Sequence, residues 1–383
     1  MMNEQLWSQL IQQAVKDRRY LHQHPELSGQ EYETTAFIKA RLEKLNICIM
    51  PYAEVGVVGF IAGKVGKKTI ALRADIDALP IQEENHVSYA STTPNVAHMC
   101  GHDGHTAVLL AVAEWLANPA HQVDHHIMLI FQSAEEITPS GADQLVQLGV
   151  LAEVDAIFGI HLWQALPLGT IGCVGGPMMG SIDDFEVTVT GSGGHGSMPH
   201  ETVDPIYITS HLMQAYQSII SRNLNPIDAG VITVGKITAG TTFNITPESA
   251  TMIGTMRALR HETVTLIKER MTQLTEQICA AFGAKGTIRF IDGTPPLINT
   301  PFYAKEIERL VSPTKPFEEI LPVMGGEDFS YYLKEKEGAF IFVGMGGEYS
   351  EYPHHHAKFN IDERAMEDAI QLFITIARQC EIK

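Results

Sequence analysis

The strongest constraint on how this chain folds is a change in its hydrophobic rhythm. Residues 57–62, 69–72, 127–131 and 156–160 are continuous apolar runs, and helical stretches at 106–116 and 142–148 lie between them. Strands that are apolar along their whole length belong in a sheet covered by helices on both faces. After Gly175, Gly176 and Pro177 the pattern changes, and Phe185, Val187 and Val189 alternate with polar residues. That alternation predicts a strand with one wet face. A helix over 204–221, strands over 231–237 and 250–256, a helix over 261–282 and a strand over 287–291 follow. The order β-α-β-β-α-β is the split βαβ of ferredoxin-like folds. From Pro296 the α/β rhythm returns, with a helix over 302–310, strands over 320–323 and 340–343, and a closing helix over 363–380. The expectation is an α/β domain made of residues 1–178 and 296–383, with a ferredoxin-like α+β domain of residues 179–295 inserted into it. Near the N-terminus, Ser28, Gly29, Gln30 and Glu31 match a capping box that would open a second helix.

Composition narrows the function. The 383 residues are 45% hydrophobic and 19% charged, enough for sizeable cores. Acidic residues outnumber basic ones 45 to 27, a formal charge of −18, with no Lys/Arg block. Nucleic acid and anionic membranes are therefore poor partners. No apolar stretch is long enough to span a bilayer, and the N-terminus lacks the pattern of a secretory signal. Five cysteines without a Cys-x-x-Cys pair point to a reducing, cytoplasmic compartment. Histidine, at 17 residues, stands out.

Four clusters of chemically active residues each follow directly on a predicted strand: Asp75 with Asp77, His98 to Asp103 by way of Cys100 and His102, Glu135 with Glu136, and His161. A fifth, His354, His355 and His356, follows the strand at 340–343. Ligands bind outside the carboxyl ends of strands in α/β sheets. Cys100 and His102, two apart around a glycine, can converge on one cation, or can be a buried thiol and a packed imidazole. His105 fits better as a capping or packing residue than as a ligand. Glu135 and Glu136, adjacent in extended backbone, would point opposite ways, one to a metal and one to water; a solvated turn is the plain alternative. Asp75 or Asp77 could orient a ligating imidazole, or could cap a turn. In the inserted segment, glycines around His195 expose it on a loop; Arg257 is suited to gripping a carboxylate, although by themselves Asn244 and Arg257 read as a turn Asn and a surface Arg.

The motifs His22-Gln23-His24-Pro25-Glu26-Leu27, Arg73-Ala74-Asp75-Ile76-Asp77-Ala78-Leu79-Pro80, Cys100-Gly101-His102-Asp103-Gly104-His105, Phe131-Gln132-Ser133-Ala134-Glu135-Glu136, Gly193-Gly194-His195 and Gly325-Gly326-Glu327-Asp328-Phe329 occur in this order. Together they resemble the hippurate hydrolase and auxin-conjugate hydrolase type of amidohydrolase, in the aminoacylase and carboxypeptidase superfamily of dinuclear metallohydrolases. The resemblance implies that Cys100, His102, Glu136, His161 and His355 hold two divalent metals, of which Mn, Zn, Co and Ni all suit the donor set. His355 is chosen by its spacing to Phe359, although Ala357 stands where the family usually has Pro. The same resemblance makes Glu135 the general base, Asp75 a support of the metal site, and His195 the oxyanion stabiliser, acting across a homodimer interface. Asn244, Arg257 and Glu327 become substrate-side residues.

The implied reaction is hydrolysis of the amide of an N-acyl amino acid by metal-activated water. A metallo-dipeptidase or carboxypeptidase would use the same site. A catalytically inactive binding protein would need an altered base or ligand position, and none is altered.

Overall fold

The computed structural model describes residues 4–66 and 68–383, so the reading of the extreme N-terminus falls partly on residues 1–3, outside the described residues. The chain forms two compact units. The first is Met1–Gly176 with Ile298–Leu321 and Asp328–Lys383; the second is Pro177–Leu297 with Pro322–Glu327.

The first unit is built on an eight-stranded mixed sheet. Its strand order is Cys48–Met50, Val57–Ile61, His126–Gln132, Thr69–Asp75, Ala156–Pro167, Gly338–Gly346, Ile171–Cys173 and Phe317–Glu319. The four central strands, from His126–Gln132 to Gly338–Gly346, run parallel. Their apolar residues are buried together with the helix His102–Ala117, 14 of whose residues are buried, and with the amphipathic closing helix Arg364–Gln379. Covering both faces explains the unbroken apolar runs. Two strands outrun the sequence expectation. Thr69–Asp75 continues through Arg73 and Asp75 although both are charged, and Ala156–Pro167 continues past His161 because Gly338–Gly346 pairs alongside it, with Phe342 opposite His161.

Charge inside a buried strand must be answered by charge or hydrogen bonds. Fully buried Arg73 donates to Asp75 Oδ2 at 2.6 Å, to Asp328 Oδ1 at 2.7 Å and to Gln132 Oε1 at 2.8 Å. Asp328 also accepts from Gln132 Nε2 and from the Ala142 amide. Two strand ends, at Asp75 and Gln132, and through Asp328 the start of the helix Gly141–Gln147 are thereby tied to one guanidinium.

In two places local signals gave way to tertiary contacts. The second helix begins at Tyr32, not at Ser28. The Ser28 hydroxyl is drawn off to donate to Asp77 Oδ2 at 2.6 Å, and the carboxylate of Glu26 accepts from the first-turn amides of Glu33 and Thr34 instead. The strand expected over 320–323 is displaced to Phe317–Glu319, which pairs in parallel with Ile171–Cys173. Pro322 has no amide to donate to a ladder, and of the segment after it only Val323 makes a bridge, to Met179.

The second unit is a four-stranded antiparallel sheet in the order Gly230–Ala239, Ser249–Ala258, Asp183–Thr190, Lys285–Asp292. With the helices Pro205–Arg222 and His261–Ala281 it gives the chain order β-α-β-β-α-β. The inward residues Phe185, Val187 and Val189 meet Leu212, Tyr216 and Met271 in a separate core. The first helix has a physical start signal: Asp204 accepts from the Ile206 and Tyr207 amides, and Pro205 occupies the first helical position.

Replacing Arg73 by Met should destabilise the protein by about 3–5 kcal/mol, because Asp75 and Asp328 would be left buried without their cation. Urea unfolding of the variant measures this. A loss under about 1 kcal/mol would show that the strand ends do not depend on the guanidinium.

Candidate metal centre and active site

The carboxyl ends of the parallel strands of the first unit, and the start of the helix that follows one of them, bring the metal-type side chains together. Three sets of donor atoms each lie within 4.8 Å of one another: Cys100 with His102 and His161, Cys100 with Glu136 and His355, and His102 with Glu135 and Glu136. Cys100 Sγ is 3.5 Å from His161 Nε2, and His355 Nε2 is 3.3 Å from Glu136 Oε1. Each side chain has a local reason for its position. Gly101 has φ +99°, a left-handed turn that starts the helix at His102 directly after Cys100. His161 is held within its strand. His355 has φ +66° and is tied down by its amide, which donates to the Met99 carbonyl at 2.8 Å.

The imidazoles are oriented for ligation. His102 Nδ1 faces the Asp77 carboxylate at 3.1 Å and the Asp77 carbonyl at 3.0 Å, so it carries the proton. Its Nε2 is buried and makes no hydrogen bond. His161 Nδ1 donates to the Leu162 carbonyl at 2.9 Å, leaving the Nε2 lone pair toward Cys100. A buried imidazole nitrogen with an open lone pair, beside a thiol, a second imidazole and a carboxylate, is what a divalent transition metal accepts. The residues present therefore fit the metals.

The electrostatics distinguish the ligand-type side chains. Burial, reinforced by Glu136, raises the Cys100 thiol above its ordinary value, so the thiolate needs a cation beside it. The Cys100 thiol and the Glu136 carboxylate beside it push His355 up to about 10. Burial and the neighbouring His105 and His354 hold His161 well below the usual imidazole range, in the neutral form that ligates. Burial opposes charge on His102 too, but Asp75 and Cys100 outweigh it and raise its pKa.

The two aspartates divide their work. Asp77 sits on His102, accepts from Ser28, and accepts from the Glu136 amide at 3.0 Å. Asp75 lies farther back, 3.8 Å from His102 Nε2, paired with Arg73 and with His105 Nδ1 at 2.7 Å. Burial disfavours its charge, yet His102, His105 and Arg73 together hold it well below the ordinary carboxyl range. The orienting contact on a ligand-type histidine thus belongs to Asp77, the member of the pair not singled out from the sequence; the two-residue spacing alone could not choose between them. His105 has both nitrogens engaged, since Nε2 accepts from the Leu162 amide at 2.9 Å, and it ties Asp75 to the residue beside His161. The three adjacent histidines are separated by geometry. His354 Nε2 lies 3.0 Å from the Leu162 carbonyl in an aromatic layer with Trp163 and Phe359, His356 stacks on Tyr352, and His355 alone joins a donor set.

Glu135 accepts from the Asp328 amide at 3.5 Å and shares a donor set with His102 and Glu136. The remaining candidates lie in the second unit. His195 is exposed, on a two-residue strand paired with Ile245 and Thr246, and its Nδ1 accepts from Ser197. The pairing places the Asn244 carbonyl on the Gly196 amide at 2.9 Å. Arg257 is half-buried, with Nη1 unsatisfied. Glu327 is buried.

Comparison with known proteins gives the same answer as the chemistry. Residues 71–379 match the model of Peptidase family M20/M25/M40. The N-acetyl-L-cysteine deacetylase of Bacillus subtilis (strain 168) is 41% identical over 94% of this chain and 86% of its own length. Thermostable carboxypeptidase 2 of Saccharolobus solfataricus is 38% identical over 91% of this chain and 90% of its own. The crystal structure of the YxeP protein of Bacillus subtilis, described as a dinuclear metal-binding peptidase of the M20 family, superposes with a TM-score of 0.86 at 34% identity, covering 97% of this chain and 98% of that one. A shared fold at this identity and coverage, together with the donor sets around Cys100, leads to one conclusion: the chain belongs to Peptidase family M20/M25/M40 and is a metal-dependent hydrolase.

Proposed function

We propose that this chain is an N-acyl amino acid amidohydrolase in which Glu135 is the general base and Cys100, His102, Glu136, His161 and His355 hold two divalent ions. The observation that carries the assignment of roles is that two donor sets share Cys100, while Glu135 stands beside Glu136 within reach of His102. Bound there, the ions supply Lewis-acid polarisation of the amide carbonyl and make water acidic enough to deprotonate near neutrality. Glu135 takes the proton and returns it to the departing amine. His195 stabilises the oxyanion of the tetrahedral intermediate. Asn244, Arg257 and Glu327 hold the substrate, with the unsatisfied Nη1 of Arg257 suited to its carboxylate. Asp77 and Asp75 position the imidazoles and do not transfer protons.

The deacetylase relative supports a small acyl group, and the thermostable carboxypeptidase relative supports a peptide as second substrate class; both substrates offer a free carboxylate. The mixed thiolate, imidazole and carboxylate set suits Mn, Zn, Co or Ni. The inserted domain, residues 179–295, serves as lid and dimerisation domain of a homodimer, in which His195 acts on the partner's active site. The acidic chain works in the cytoplasm on small molecules and not on nucleic acid or membranes. Among the described residues no helix is long and apolar enough to cross a membrane.

A panel of N-acetyl amino acids, N-benzoyl amino acids and dipeptides, read by release of free amine, tests the substrate class. N-acetyl compounds should be turned over fastest, and a preference for dipeptides would move the protein to the peptidase reading. Glu135→Gln should keep its metals and lose about 10²–10⁴-fold in kcat, whereas Glu136→Gln should lose metal and activity together. Elemental analysis with kcat on both variants decides; metal lost from the first and kept by the second would exchange the two roles. Mixing inactive Glu135→Gln with inactive His195→Ala subunits should restore activity, because one site per heterodimer is complete. Proven subunit exchange without recovery would exclude action in trans.

A further inference from the structure

The base Glu135 follows a residue in an unusual conformation. Ala134 has φ +55°, the left-handed region that a residue with a Cβ rarely occupies, at a cost of about 1–3 kcal/mol unless the surroundings impose it. The surroundings here are specific. The Ala134 amide donates to Glu31 Oε1 at 2.7 Å, and the Ala134 carbonyl accepts from the Gly141 amide at 2.9 Å. Two residues on, the Glu136 amide donates to Asp77, which itself accepts from Ser28. The turn that presents Glu135 and Glu136 is thus pinned on both sides by residues 28–31, the same stretch whose capping-box pattern is not used to cap a helix.

Glu31 is fully buried, and its second oxygen, Oε2, has no hydrogen-bond partner. Burial raises its carboxyl to about 7, with Asp77 adding to the rise and the Ala134 amide opposing it. A buried acid in this state is costly, and a helix start could be made without it, since Glu26 already supplies the first-turn acceptor. The one backbone group it reaches outside its own segment is the amide before the base. We propose that Glu31 is a positioning residue for catalysis: its carboxyl oxygen locks Ala134 in the left-handed conformation and so fixes the direction of the Glu135 side chain. The proposal rests on Glu135 being the base. Glu31 touches neither substrate nor metal; it acts through Ala134.

The role requires an acceptor at one place and not a charge, so the variants separate readily. Turnover is measured on metal-replete protein with N-acetyl-L-cysteine or the best substrate of the panel, alongside metal content and thermal unfolding. Glu31→Gln keeps the acceptor and should stay within about 3-fold of wild type. Glu31→Asp, which shortens the reach, and Glu31→Ala, which removes the acceptor, should lose on the order of 10²-fold in kcat with KM and metal content held, the scale of a misplaced catalytic group. In a Glu135→Gln background the same substitutions should cost nothing further, because a residue acting through the base has no base left to position. Glu31→Ala combined with Ala134→Gly should recover part of the loss, since glycine takes the left-handed conformation without an anchor. Should Glu31→Ala fail to fold, the comparison of Asp with Gln carries the test. Normal kcat in folded Glu31→Asp, equal damage in Glu31→Gln and Glu31→Asp, or additive loss with Glu135→Gln would each overturn the proposal. A fully active Glu135→Gln would overturn the assignment of the base and this proposal with it, whereas an inactive Glu135→Gln beside a normal Glu31→Asp would overturn this proposal alone.

Discussion

Negative charge at the end of the central parallel strand is the constraint to which the first unit is built. Asp75 and Asp77 are both buried there, in a place where an unanswered carboxylate would cost several kcal/mol. Every neighbouring element supplies part of the answer. Arg73 comes from the same strand, His102 and His105 from the following helix, Ser28 from the loop between the first two helices, and the Glu136 amide from the next strand end. Because the answering groups come from several elements, satisfying two carboxylates also fixes where those elements stand. The metal-binding cluster inherits its precision from that arrangement.

The division between the two aspartates gives the site its depth. Asp77 engages Nδ1 of His102 and leaves the other ring nitrogen, Nε2, toward the cluster. Asp75 reaches His161 only indirectly, through His105 and the Leu162 amide, and is itself held by Arg73. Arg73 also holds Asp328, whose amide meets Glu135. A change at the guanidinium would therefore be felt by the donor sets around His102 and by Glu135 together. Buried networks of this kind are worth more intact than the sum of their pairs, and they fail as a unit.

Legibility from sequence followed the range of the interactions concerned. The alternation of apolar runs with helices sufficed for the helix-covered α/β sheet and for the β-α-β-β-α-β order after Pro177, because burial on two faces or one is written residue by residue. The ordered motifs around Asp75, Cys100, Glu135 and His195 sufficed for the family and its chemistry. The capping box at Ser28 misled because a hydroxyl chooses the strongest acceptor available, and a buried carboxylate 49 residues away is stronger than a helix end. The strand expected at 320–323 misled because apolar composition does not reveal the proline's missing donor in its register.

What the amino-acid sequence by itself determined is the set of chemical groups and the local elements that carry them, since both depend on residue type and short spacing. Only the tertiary structure decided which of several equivalent groups stands where: Asp77 and not Asp75 on His102 Nδ1, His355 and not His354 or His356 in a donor set, His105 as a tie between Asp75 and Leu162, and Glu31 on the Ala134 amide. These choices turn on whether residues far apart in the chain come within hydrogen-bonding or ligating reach, where a displacement of about an ångström decides the contact. A hydrogen bond or a metal–ligand contact is lost over such a distance, and no local pattern encodes it.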